Sequence, residues 1–172
     1  MIENKVIWIT GLPGSGKTTL AKRYINEIDL KLHPTIHLDG DDMRRELFNE
    51  FGYSKTDRMI LARKYQNLTK FLYEQGFDVV VSTVSMYKSI YNENREKFKN
   101  YIEVYLEAEL TILESGPRAN LYENKEFNSN QKNQFDYPSD PNLTITRTSN
   151  TTIEYSTNLL VEYLKRYNAT KF

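Results

Sequence analysis

Apolar residues along the chain come in two alternating textures. Short, nearly continuous runs at Val6–Thr10, Thr35–Leu38, Asp78–Ser82, Tyr101–Leu106 and Asn142–Thr146 read as strands. Between them, at roughly 17–28, 41–50, 57–75, 87–98, 109–115 and 151–167, apolar positions recur near helical spacing. Val79-Val80-Val81 is β-branched and apolar throughout, as a strand covered on both faces requires. The alternation predicts an α/β fold, with a parallel five-stranded sheet flanked by helices. Asp57 is placed to cap the third helix and Gly76 to end it. In the last helix Ile153, Leu159, Leu160, Val161 and Leu164 mark a core face, and Trp8 is expected in the core as well.

One segment departs from this texture. From Ser115 to Pro141 the chain is polar and rich in Asn, Gln and Lys, with aromatics scattered at Tyr122, Phe127, Phe135 and Tyr137. A long polar connection inside a compact domain is usually functional or disordered. The expectation is a lid over approximately 115–141, closing over bound ligands and excluding water.

The first strand runs into Gly11-Leu12-Pro13-Gly14-Ser15-Gly16-Lys17-Thr18-Thr19, which is G-x-x-x-x-G-K-T followed by a helix pattern. That context is the one a phosphate-binding P-loop needs, and the whole chain reads as a P-loop NTPase fold. At average glycine usage a chance match is on the order of one in a hundred. The loop turns backbone N–H groups of Gly11, Gly14, Ser15, Gly16 and their neighbours around phosphate oxygens, and the helix aims its positive dipole end at them. Lys17 is expected on the β- and γ-phosphates of ATP, the Thr18 hydroxyl on Mg²⁺, and Thr19 beside the phosphates.

Composition narrows the partners. The 172 residues suit a single domain over 1–172, and the 23 basic and 23 acidic side chains balance, so no net field draws the chain to nucleic acid or a charged membrane. The absence of cysteine excludes disulfide and thiolate chemistry. No apolar run reaches the ~20 residues that cross a bilayer, and no signal-peptide pattern opens the chain, so a cytoplasmic location is expected. Four N-x-S/T sequons, at Asn67, Asn142, Asn150 and Asn168, are read as accidental. His33 and His37 stand too much alone to suggest a metal site.

The second strand ends in Leu38-Asp39-Gly40-Asp41-Asp42-Met43-Arg44. In an open parallel sheet ligands sit beyond the carboxyl ends of strands, so Asp39 and Asp41 fall beside the P-loop. Carboxylates there can support Mg²⁺ or accept a proton from an attacking hydroxyl, and the same residues also suit a turn and helix cap. The third strand, which could supply an acid at this point, instead runs into Ser82-Thr83.

Taken together, Gly11–Thr18, Leu38-Asp39-Gly40-Asp41-x-x-Arg44, Gly52-Tyr53-Ser54-x-x-Asp57-Arg58, Ser85-x-Tyr87, Ile102-Glu103-Val104-Tyr105 and Leu121-Tyr122 resemble the adenylylsulfate (APS) kinase family. The resemblance covers nearly the whole chain and weakens after residue 115. It implies an ATP- and Mg²⁺-dependent kinase acting on the ribose 3′-hydroxyl of a nucleotide with an activated 5′ anhydride, and it suggests a homodimer. By position it makes Asp41 the catalytic acid, Asp39 a metal support, and Arg44 and Arg58 holders of the acceptor's anionic groups, with Lys17 completing the catalytic set. Tyr53, Val84, Ser85, Tyr87 and Phe135 would line the acceptor, and Arg118 with Lys125 would serve the lid and the ATP base.

The departures fall on the acceptor side. Leu61 stands where the family has a substrate-contacting Asn, Met86 and Lys88 replace a Pro and an Arg, and the lid stretch becomes Gly116-Pro117-Arg118-Ala119-Asn120-Leu121-Tyr122. An Asn-to-Leu change suits a smaller base. The relatives that act on cytidine diphosphoramidate in capsule pathways are therefore preferred narrowly over those that act on APS. A small-metabolite kinase of the gluconate or shikimate type, and an ATP-binding switch without catalysis, share the same core and remain as alternatives.

Overall fold

The computed structural model describes residues 4–28, 30, 34–123 and 135–169. Five strands form one parallel sheet: β1 (Val6–Thr10), β2 (Thr35–Asp39), β3 (Asp78–Thr83), β4 (Tyr101–Ala108) and β5 (Leu143–Arg147), in the order β2-β3-β1-β4-β5. Their register sets Asp39 against Ser82 and Thr10 against Thr83, so the carboxyl ends of β1, β2 and β3 are level.

Seven helices accompany the sheet among the described residues: α1 (Lys17–Asn26), α2 (Gly40–Glu46), α3 (Lys55–Glu74), α4 (Lys88–Lys97), α5 (Leu110–Ser115), α6 (Ala119–Tyr122) and α7 (Ile153–Ala169). Side-chain period divides the core. Val6, Trp8, Val79 and Val81 point to one face, beneath α3 and α4, with Leu61, Ala62, Tyr65 and Ile90. Ile7, Ile9, Val80, Ile102 and Val104 point to the other, against Leu20 and Ala21 of α1 and Leu160 and Leu164 of α7.

The elements expected from the pattern are all present, with differences at their bounds; the second helix, expected over 41–50, closes at Glu46. The third helix begins at Lys55, and its cap is Ser54, whose Oγ accepts the Asp57 N–H at 3.1 Å. Asp57 therefore sits in the first turn, not at the cap, where its charge complements the helix dipole. The strands β2 to β5 run one or two residues further at their carboxyl ends than the apolar runs, because sheet pairing continues through the polar residues there. The expected polar connection contains α6, a single turn too short to show a period.

Candidate active site

The turn from β1 into α1 is built for an anion. A Cβ on Gly11 would lie 2.4 Å from the Leu106 carbonyl oxygen, and Gly16 holds φ at +97°, so both positions demand glycine. Gly16 is also the N-cap of α1; it offers no side-chain cap, and the first turn carries no acidic residue. The opening N–H groups of α1 are therefore left for a ligand, whereas α2 and α3 have theirs taken by Asp39 and Ser54. Lys17 folds back over the loop, donating to the Leu12 carbonyl at 2.7 Å. Burial pushes its ammonium down to about 8, against the pull of Asp41 and Asp39, while Arg118 lowers it further.

Asp39 is the node that joins loop and sheet. Its Oδ2 accepts the Thr18 hydroxyl at 2.6 Å and the Ser82 hydroxyl at 2.7 Å; its Oδ1 accepts the backbone N–H of Asp41 at 3.0 Å and of Asp42 at 3.3 Å. Burial would raise this carboxyl, yet the bonds from Thr18, Ser82, Asp42 and Asp41 together hold it below the ordinary range. Asp39 thus caps α2 and faces Thr18 at once, so a capping role and a place beside the P-loop fall on one side chain. His37 extends the chain, its Nε2 lying 2.9 Å from the Ser82 Oγ, and burial keeps its pKa low.

The hydroxyl of Thr18 and the carboxylate of Asp39 form a hard oxygen pair that fits a small divalent cation taking its other ligands from phosphate and water. No cluster of three or more His, Cys, Asp or Glu occurs among the described residues.

Asp41 opens α2 and projects outward, 72% exposed. One of its oxygens, Oδ2, accepts Arg118 at 2.7 Å. Arg118 reaches it from the turn before α6, and its Cβ would stand 3.4 Å from a Cβ on Gly14, so the guanidinium spans the gap between P-loop and α2. The turn is pinned in place by Tyr122, whose hydroxyl donates to the Pro13 carbonyl. Arg118 was expected toward the ATP base; its partner here is the candidate catalytic carboxylate.

On the acceptor side, Arg44 donates to the Phe51 and Gly52 carbonyls and lies 4.5 Å from the centre of the Tyr53 ring. Arg58 donates to the Tyr53 carbonyl and sits between two aromatic faces, 5.9 Å from Tyr53 and 5.8 Å from Phe135. Tyr53 is 73% exposed, while Phe135 is buried against Met86 and Tyr91 with Val84 alongside. Ser85 is turned inward, its Oγ 3.0 Å from that of Thr83. Tyr87 is buried as a ring; its hydroxyl is raised by burial and feels Arg58, Asp136 and Arg44. Leu61 is the correction: it is 1% exposed, packed in the core with Met43 and Tyr87, and presents no surface to an acceptor. Lys125, Phe127 and His33 lie outside the described residues.

Three contributors escaped the sequence reading. Ser82 orients Asp39, and only the β2–β3 register brings them together. Asp136 holds the chain that carries Phe135: its N–H donates to the Met86 carbonyl and its carboxylate accepts the Lys88 N–H at 3.0 Å, at the start of α4. Arg147, at the end of β5, donates to the Ser15 carbonyl at 2.9 Å from outside the P-loop. Each pairing spans at least 43 residues in sequence or depends on register, so no local motif marks it.

Comparison with known proteins bears on this arrangement. The family model described as adenylylsulphate kinase matches residues 3–146. The cytidine diphosphoramidate kinase of Campylobacter jejuni is 35% identical over 165 residues, spanning 92% of this chain and 95% of its own. An adenylyl-sulfate kinase of Staphylococcus haemolyticus is 32% identical over 172 residues, with coverages of 95% and 85%. The solved structure of the Mycobacterium tuberculosis APS kinase in complex with AMPPNP and APS superposes with a TM-score of 0.77 over 96% of this chain and 99% of that one. At 22% identity, this likeness speaks for the fold.

Proposed function

The chain belongs to the adenylylsulphate kinase family, and from that premise we propose that it transfers the γ-phosphoryl group of ATP to the ribose 3′-hydroxyl of a nucleotide with an activated 5′ anhydride. Cytidine diphosphoramidate is the preferred acceptor. The observation that carries the reaction is the meeting of Thr18, Asp39 and Asp41 at the mouth of an uncapped P-loop helix. The preference for the cytidine nucleotide rests on the 35% identity to the Campylobacter enzyme across nearly both full lengths. Leu61, being buried, lends it no support. Adenylyl sulfate is the second reading, favoured by relatives of the Staphylococcus type at 32% identity.

In this reading the loop N–H groups and Lys17 bind the β- and γ-phosphates and orient the transferring group. Thr18 and Asp39 would hold Mg²⁺, which would supply neutralisation of the phosphates' charge. Asp41 keeps one oxygen on Arg118 and has the other open among the described residues to accept the acceptor's hydroxyl proton. As that proton moves to Asp41, the hydroxyl oxygen bonds to the γ-phosphorus and the bridging bond to ADP breaks. Arg44 and Arg58 bind the acceptor's anionic groups, for which a planar guanidinium is suited, and the exposed ring of Tyr53 offers its face to the base. We further propose a cytoplasmic enzyme, a single domain over 1–172, and a homodimer.

The decisive assay offers cytidine diphosphoramidate and adenylyl sulfate side by side with MgATP and measures 3′-phosphorylated product. Faster turnover of the cytidine nucleotide is expected. Faster turnover of adenylyl sulfate would transfer the assignment to the second reading, and turnover of neither would refute the 3′-kinase proposal.

A further inference from the structure

Two arginines lie against glycines of the P-loop. Arg118 lies against Gly14 and is neutralised by Asp41. Arg147 lies against Gly16, where a Cβ would meet its Nη1 at 2.6 Å, and no carboxylate among the described residues pairs with it. Its Nε is buried without a hydrogen-bond partner. Among the described residues its guanidinium makes one hydrogen bond, from Nη1 to the Ser15 carbonyl at 2.9 Å, and so to the loop itself. An uncompensated cation in a half-buried position is costly unless a ligand's charge offsets it.

The geometry of the peptide unit shows how that offset would work. The Ser15–Gly16 bond is trans, as are all the peptide bonds described. In a trans unit the C=O and N–H point in opposite directions. With the Ser15 carbonyl engaged by Arg147, the Gly16 N–H points away from the guanidinium, at the uncapped start of α1. A charged donor on the carbonyl also polarises the unit, which strengthens the N–H as a donor.

We propose that Arg147 is a positioning residue of the donor site: it orients and polarises the Ser15–Gly16 peptide toward the nucleotide's phosphates, and the polyphosphate is the counter-charge for its guanidinium. The proposal rests on the donor site being an ATP site, and it is independent of which acceptor is used. It assigns a specific role to a residue 132 positions from its loop partner.

The test is binding of ADP without turnover, measured by calorimetry on the full chain for Arg147→Lys, Arg147→Gln and Arg147→Met, with ligand-free thermal unfolding and acceptor KM recorded alongside. Arg147→Met and Arg147→Gln are expected to weaken ADP about tenfold with acceptor KM within about twofold of the parent. Arg147→Lys, which keeps a charged donor, should stay within about threefold for ADP. If Arg147→Met fails to fold, Arg147→Gln against Arg147→Lys decides. Unchanged ADP affinity in the neutral variants would overturn the proposal. So would equal loss in Arg147→Lys and Arg147→Gln, or losses that track the drop in unfolding temperature. Absence of kinase turnover with the ADP pattern intact would count against the acceptor assignment alone.

Discussion

Glu103 offers a sharp test of how the core and the site share one sheet. It is fully buried on β4, beside Trp8 in register, with Oε2 on Arg95 at 2.9 Å, while Oε1 meets no donor in good hydrogen-bond geometry among the described residues. Burial pushes its carboxyl up to about 7, although Arg95 and Tyr101 pull the other way. A raised carboxyl means that the folded protein binds this proton more tightly than the unfolded chain, whose value is 4.5. Between those values the folded state carries more protons, so stability falls as pH rises and the loss is complete above about pH 7. At 1.36 kcal/mol per pH unit the loss between pH 5 and pH 8 is about 2–3 kcal/mol. His37, lowered by burial, works in the opposite sense below its unfolded value of 6.5, which would blur the curve of the parent protein alone. The difference between Glu103→Gln and the parent removes that background. Gln keeps the shape and an oxygen for Arg95 but cannot ionise. Urea unfolding at pH 5, 6, 7 and 8 at constant ionic strength should show the variant gaining about 2–3 kcal/mol on the parent across the series. A flat difference, or one that shrinks as pH rises, would mean that Glu103 is ionised throughout and that the Arg95 pair outweighs desolvation.

Three further outcomes follow from the site. Asp41→Ala should lower turnover by about two orders of magnitude or more while leaving ADP affinity within about threefold, since in the proposed reaction Asp41 takes the acceptor's proton and leaves the donor's phosphates to the loop; equal loss of both would place it in donor binding. Asp39→Asn should keep an acceptor for the α2 N-terminus yet raise the divalent-cation concentration needed for half-maximal activity, read by titration with magnesium chloride; an unchanged midpoint would remove Asp39 from the cation site. Arg58→Ala should raise acceptor KM about tenfold with ATP KM unaltered, measured by varying each substrate in turn; a shift in ATP KM alone would refute its acceptor role.

The legible parts of this protein are those whose physics is local. Strands and helices announce themselves through a repeat of two or near 3.6 residues, and the P-loop is one contiguous segment whose glycines and lysine serve the same turn. Asp39 could be placed because a strand's end in a parallel sheet is a place where ligands gather. Ser54 and Asp57 are both residues that suit a helix start, and which of them caps was decided by a backbone N–H three residues away. α6 is four residues long, less than the period that would reveal it.

Other features depended on chain segments meeting across the sheet. Leu61 aligned with a substrate-contacting position, but the rotation of α3 turned it into the core. Arg118 was legible as a cation near the lid, and only the packing of α6 on the P-loop delivered it to Asp41. Asp136 and Arg147 reach their partners across 48 and 132 residues. The sequence by itself determined the donor loop, the order of elements and the carboxylates at the end of β2, because short-range sterics and periodicity are written in neighbouring residues. Which charge faces which was decided by the tertiary structure: ion pairs and capping bonds act over a few ångströms in space, and sheet register sets what lies within that reach.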